Sequence, residues 1–156
     1  LLATSKQLEK IRGNRISMIF QDPLSSLNPV IRVGDQIAEV VKLHLGLGKE
    51  SAYDRVYKVM EDVGIVNPEL RSKSYPFQFS GGMRQRIMIA MALSCDPEII
   101  IASYRDTISN RPAFKEVTAI KEKRVFVSED LLSIAGPRFI DGVEELAEWV
   151  YPDLFK

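Results

Sequence analysis

Phe79-Ser80-Gly81-Gly82-Met83-Arg84-Gln85-Arg86 is the stretch on which the reading of this chain turns. Ser80 is a favoured N-cap residue, and behind it Met83, Ile87, Ala90 and Met91 recur at helical spacing. The two glycines leave no Cβ between the first backbone amides and whatever approaches them. Those amides have no partner inside the helix, and the helix dipole makes the same end electropositive. An anion such as a phosphate suits that geometry. A Ser-Gly-Gly turn that does nothing but cap a helix accounts for the same residues.

Outward from this point the pattern alternates between helix and strand. Asp96-Pro97 stops the helix, and Glu98 to Ala102 reads as a buried strand. Upstream, Asn67 to Gln78 is polar and Pro-bearing and reads as loop. Before it, a helix is expected from Glu50 to Val63, with Ala52, Val56, Val59, Met60 and Val63 as its apolar stripe and Gly64 as its cap. Another is expected from Asp35 to Leu45, with Ile37, Val40, Val41 and Leu45 inward and Gly46 and Gly48 closing it. Ile16 to Phe20 is a short apolar run that ends in Gln21-Asp22-Pro23, a strand feeding a loop through Ser25, Ser26, Asn28 and Pro29.

Beyond Ala102 the texture changes. Ser103 to Pro112 is polar and irregular, Arg124 to Ser128 reads as a strand, and Gly136-Pro137-Arg138 leads into a terminal helix. Phe139, Ile140, Val143, Leu146, Ala147 and Val150 form its core stripe, and Pro152 ends it. The class is α/β, with more helix before residue 95 than after.

Composition narrows the possible partners. The 156 residues suit one ordinary domain or two undersized pieces sharing a core. Lys and Arg number 21 and Asp and Glu 21, so no net field favours nucleic acid or an anionic membrane. Cys95, the single cysteine, rules out an internal disulfide or a thiolate metal cluster and reads as a core residue. His44, the single histidine, reads as a surface residue of the first long helix. No apolar run is long enough to span a bilayer, and the first residues lack the layout of a secretion signal. Without an initiator Met, the start reads as cut from inside a longer chain.

With Tyr75-Pro76-Phe77-Gln78 in front of it, the opening stretch resembles the signature motif of ATP-binding-cassette (ABC) transporter ATPases, in the form used by oligopeptide and dipeptide importers. A His is usual where Phe77 stands. Ile11-Arg12-Gly13-Asn14-Arg15-Ile16-Ser17-Met18-Ile19-Phe20-Gln21-Asp22-Pro23, with Ser26-Leu27-Asn28-Pro29 after it, resembles the Q-loop region of the same subfamily. The two helices between the motifs fill the place of the family's helical subdomain.

This resemblance covers residues 1–101 and carries expectations for function. Gln21 takes the place of the Q-loop glutamine, which senses the γ-phosphate and Mg²⁺ near the surface that meets the membrane subunit. Ser80, Gly81, Gly82 and Met83 take the place of the signature residues that touch ATP held by the opposite subunit. Met83 stands where many relatives have glutamine. Implied partners are a membrane permease subunit and a second ATPase subunit, with neither nucleic acid contact nor direct membrane insertion. ATP and Mg²⁺ are expected only with a complementing partner, on the cytoplasmic side and membrane-associated through it. On residue chemistry alone, Gln21 also reads as a plain loop residue and Ser80 as a plain cap.

Several parts of a hydrolytic site are missing from the sequence. No GxxxxGK[ST] pattern occurs, so no phosphate-cradling loop with its Lys is supplied. The strand Ile99-Ile100-Ile101 falls where the family places Walker B, yet it continues Ala102-Ser103-Tyr104-Arg105-Asp106 without the Asp for Mg²⁺ or the Glu for water. No downstream switch histidine follows. The chain is expected to be an ABC ATPase by ancestry that is inactive alone, with no catalytic and no metal-binding residue to assign.

Residues 96–156 resemble something else: the C-terminal lobe of a periplasmic substrate-binding protein for iron chelates, haem or cobalamin. Asn110-Arg111-Pro112, Ala119 to Val127, Gly136-Pro137-Arg138, Asp141 to Ala147 and Tyr151 to Phe155 carry that likeness, and Ile134-Ala135 departs from it. The expected organisation is therefore a truncated ABC segment, 1–101, joined through a shared strand to a smaller α/β segment, 102–156, in a chimera-like chain. Two rival functions follow: a solute-binding module for an iron chelate or corrinoid, and a folded chain with no ligand.

Overall fold

Local capping chemistry sets the first element. In the computed structural model, which describes residues 4–19, 26–102, 117–127, 146 and 148–149, Thr4 and Gln7 form a reciprocal capping box. Helix α1, Ser5–Ile11, follows from it, an element that the reading above did not anticipate although Thr-x-x-Gln announces it. Gly13, at φ +76°, reverses the chain so that its N–H donates to the Ile16 carbonyl at 2.9 Å. Strand β1, Ile16–Ile19, starts there.

The two anticipated long helices are present. Helix α2 is Val33–Leu45 and ends at Gly46 in the left-handed region, φ 64°. Helix α3 is Lys49–Asp62, with Gly64 at φ +78° just beyond its end. Within the stretch read as loop lie a short helix α4, Pro68–Arg71, and a 3₁₀ turn, Pro76–Gln78. Helix α5, Gly81–Leu93, strand β2, Ile99–Ala102, helix α6, Thr118–Lys121, and strand β3, Val125–Val127, complete the described order.

The three strands among the described residues are parallel in the order β1-β2-β3, with Ile16 opposite Ile99 and Ile100 opposite Val125. Parallel neighbours need long crossovers. The chain from β1 to β2 provides one by folding α2, α3, α4 and α5 into it. At the β1 end, the Arg15 carbonyl accepts from Glu98 and Ile99 at 2.9 and 3.0 Å, and its guanidinium grips the Glu98 carboxylate through two 2.8 Å bonds. That grip holds the Glu98 carboxyl below its ordinary range. Ala119 of α6 is buried in the same core as Ile100. Leu146, Glu148 and Trp149 are helical, in accord with the terminal helix expected there, whose other residues lie outside the described ones.

Helix α5 sits at the centre. Beyond the anticipated face of Ile87 and Ala90, Met88 and Ile89 are also buried, so it packs on more than one side. Its neighbours are α2, α3 and β1. Val56, Val59 and Met60 of α3 and Val33, Ile37 and Val41 of α2 close the core over it. Cys95 is buried, as anticipated. His44 is half-buried rather than plainly exposed, because Gly13 lets its ring approach: a Cβ on Gly13 would lie 3.1 Å from His44 Nε2.

Arg55 of α3 caps the far end of α5, with Nε donating to the Ser94 carbonyl at 2.8 Å and Nη2 to that of Leu93 at 3.4 Å. A cation at a helix C-terminus is favourable in charge as well as in hydrogen bonding. Arg55→Met keeps the apolar stem and is expected to destabilise the fold by about 1–2 kcal/mol, read as a lower urea midpoint.

Tyr53 of α3 donates its hydroxyl to Asp35 of α2. Burial, then that hydrogen bond and the Asp35 charge, push its phenol from 10.0 up to about 12. Because the folded value is the higher one, the stabilisation is fully present below pH 10 and is lost as pH rises towards 12. Phenolate absorbance should show one late-titrating tyrosine that disappears in Tyr53→Phe.

Candidate functional site

The Ser80 turn is built as its residues demand. Ser80 holds extended backbone angles, φ −63° and ψ 161°, while its Oγ accepts from Met83 N at 3.4 Å and its carbonyl from Arg84 N at 2.9 Å. The cap bond serves the Met83 amide, the Arg84 bond is the first of the helix ladder, and Gly81 and Gly82 ahead of them are exposed, their amides having no acceptor within the helix. Phe79, buried in the core, anchors the turn from the upstream side. The Arg71 guanidinium lies over its ring at 5.7 Å.

The electrostatics favour an anion. The first turn of α5 holds no acidic residue, and Arg84 and Arg86 follow the glycines. Arg86 donates to the Gly64 carbonyl at 3.1 Å, tying α5 to the end of α3. Arg84 Nε is buried and has no hydrogen-bond partner among the described residues. Neither arginine was singled out from the sequence; their place in the first two turns behind the Gly-Gly pair was the available signal.

The glycines separate two explanations of the motif. A Cβ built on Gly81 or Gly82 meets nothing within 4 Å, and neither residue has a positive φ. By contrast, a Cβ on Gly34 would lie 2.6 Å from Ser72 Cβ. Packing therefore explains glycine at 34 but not at 81 or 82, where the open space lies outside the chain. Met83 is half-buried and packs on the core. The two glycine amides and the dipole of a 13-residue helix suit a phosphate oxygen.

Gln21 lies outside the described residues, as do Ser103 to Asp106 beyond the Walker B-like strand. The likeness claimed for Asn110-Arg111-Pro112 and Gly136-Pro137-Arg138 falls there too. Among the described residues, no group of three or more His, Cys, Asp or Glu side chains is placed to hold a metal ion. No helix among them is long and apolar enough to cross a membrane.

Comparison with known proteins bears on the family and the fold. The dipeptide transport ATP-binding protein DppD of Lactococcus lactis is 44% identical over 140 residues, covering 84% of this chain and 40% of that protein. The oligopeptide transport ATP-binding protein OppD of Salmonella typhimurium is 50% identical over 139 residues, covering 84% of this chain and 42% of its own length. OppD of Escherichia coli is 42% identical over 138 residues, 83% of this chain and 41% of that one. The chain thus spans about two-fifths of the length of these relatives. Among solved structures, the dimeric ABC transporter cassette MJ0796 superposes with a TM-score of 0.61 at 22% identity, over 83% of this chain and 58% of that one, which shows the fold.

The second resemblance, to a substrate-binding protein over residues 96–156, finds no support. Alignments to some ATP-binding relatives take in 83–84% of the chain and to others 60–64%, and none of these relatives is a substrate-binding protein. Nor do the solute-binding rival and the chimera gain support. The Asp-Pro turn and Ile-rich strand at 96–101 are too generic to distinguish two α/β families. A family model described as ABC transporter matches residues 3–102, nearly two-thirds of the sequence and the whole span from α1 through the Ser80 turn to β2, and the chain belongs to that family.

Proposed function

We propose that this chain is part of the ATP-binding subunit of a peptide-importing ABC transporter and contributes the signature side of a nucleotide site. One observation carries the reading: Gly81 and Gly82 head a helix where nothing among the described residues requires glycine, and the space where their Cβ atoms would stand is open. Peptide import is proposed from relatives that are named for oligopeptide or dipeptide transport. In this reading Ser80, Gly81, Gly82 and Met83 touch the phosphates of ATP held by an opposite subunit. Gln21 acts as the Q-loop glutamine, and a membrane permease subunit is the second partner, at the cytoplasmic face. Bound ATP with Mg²⁺ supplies the phosphate charge that the turn recognises.

The chain alone is proposed not to hydrolyse ATP, since it carries no GxxxxGK[ST] loop to hold the β- and γ-phosphates. Association in trans is therefore the test. This chain is mixed with a peptide-importer ATP-binding subunit that carries that loop, and sedimentation is followed with and without Mg-ATP. Nucleotide-dependent association is expected, and Gly82→Asp should abolish it by placing a carboxylate where the phosphate sits. Gly81→Ala should weaken it while raising the stability of the chain by up to about 1 kcal/mol through helix propensity. Association that ignores nucleotide, or survives Gly82→Asp, would sink the proposal.

A further inference from the structure

Two stretches far apart in sequence meet at the first turn of α2. From one side comes the Asn28–Ile31 turn, held internally by Val30 N–H donating to Asn28 Oδ1 at 3.1 Å. From the other comes Ser72 to Tyr75, which leads through the 3₁₀ turn to Ser80.

Gln36 clasps the first stretch. Only 7% exposed, its side-chain amide accepts from Asn28 N–H at 2.9 Å and donates to the carbonyls of Asn28 at 3.0 Å and Ile31 at 2.8 Å. The amide orientation follows from its partners, because a backbone N–H only donates and a carbonyl only accepts.

The second stretch is fastened to the same turn by backbone. Val33 N–H donates to the Ser74 carbonyl at 3.0 Å and Gly34 N–H to that of Ser72 at 2.9 Å. Both donors belong to the head of α2, where no intrahelical acceptor exists. The close approach depends on Gly34 having no Cβ. Arg32 lies 6.0 Å from the centre of the Tyr75 ring, which stacks on Phe77 at 5.8 Å. Tyr75 N–H in turn donates to Gln78 Oε1 at 2.8 Å, and Phe79 N–H to the Pro76 carbonyl at 3.2 Å. Hydrogen bonds and ring contacts, linked by short stretches of backbone, thus join Asn28 to the residue before Ser80.

We infer that Gln36 is a positioning residue: by clasping the Asn28–Ile31 turn onto the head of α2, it fixes, through the Gly34–Ser72 contact, the angle at which the chain enters the Ser80 turn. Displacement of the Asn28–Ile31 turn is then passed to the signature residues without a ligand at either place. Its importance for transport rests on the reading proposed above; the coupling itself does not.

The test uses the full chain and no nucleotide, so its failure and the failure of the ATP reading are separate outcomes. Amide nitrogen–proton correlation spectra and hydrogen exchange are compared for the wild type, Gln36→Met and Gln36→Glu. Met removes all three bonds, whereas Glu keeps the acceptor for Asn28 N–H and loses both donors. Exchange at Asn28 is expected to rise roughly tenfold in Gln36→Met and at least as much in Gln36→Glu, whose buried carboxylate faces the Asn28 and Ile31 carbonyl oxygens. In both, resonances from Tyr75 to Met83 should move, while those of Lys58 to Asp62 and of β2 stay. Changes confined to residues 28–36 would overturn the proposal. So would changes spread evenly over α3 and β2, or loss of the fold in both variants, since Gln36 would then be an ordinary core residue.

Discussion

Ile87→Ala should destabilise the fold by about 3 kcal/mol, the largest effect expected of a single substitution here. Ile87 is fully buried in the middle of α5, the helix that meets α2, α3 and β1 together. Truncation removes three carbons from contact with several elements at once, and none of them can move inward without leaving its other neighbours. The lost transfer energy and the remaining cavity therefore add. Urea unfolding should show a lower midpoint at unchanged slope, because the surface exposed on unfolding scarcely changes. Met83→Leu, on the half-buried edge of the same helix, should cost less than about 1.5 kcal/mol. Equal losses at the two positions would mean that α5 is not the central helix.

Gly34→Ala should cost about 2 kcal/mol even though alanine is the better helix former. In the second position of α2 the propensity gain is at most about 1 kcal/mol. Against it stand a Cβ 2.6 Å from Ser72 Cβ and 2.8 Å from its carbonyl oxygen, neither of them the end of a flexible side chain. Relief requires α2 to separate from the Ser72–Ser74 segment, stretching the hydrogen bonds from Val33 and Gly34. Each is worth about 1 kcal/mol, and a buried donor left unpaired costs more. Gly81→Ala is the matched comparison, being a glycine at the same end of a helix with open space above it. Opposite signs for the two substitutions are expected in the same unfolding measurement. A neutral Gly34→Ala would show that the α2 junction yields easily, and would weaken the role inferred for Gln36.

Where sequence and structure agree, the deciding forces act over a few residues. The Ser80 cap, the helices around Val56 and Ile37, and the strands at Ile16 and Ile99 are each specified by neighbours one turn or one pleat away. The motif resemblance belongs to this class, and it led to the right family because two separate motifs stand in order. The likeness of residues 96–156 to a binding protein rested on short runs of the same kind without an independent second motif. It found no support among the relatives.

Sequence by itself thus determined the α/β class, the long helices, the capped Gly-Gly turn and the ABC family. Tertiary structure alone decided that Val33 and Gly34 find acceptors at Ser74 and Ser72, that Gln36 clasps Asn28 and Ile31, that Arg55 caps α5, and that Gly13 admits His44. It also separated Gly34, which packing requires, from Gly81 and Gly82, which packing does not. The reason is physical: propensity and periodicity act along the chain, whereas an orphan donor at a helix end takes whichever acceptor the completed fold brings to it.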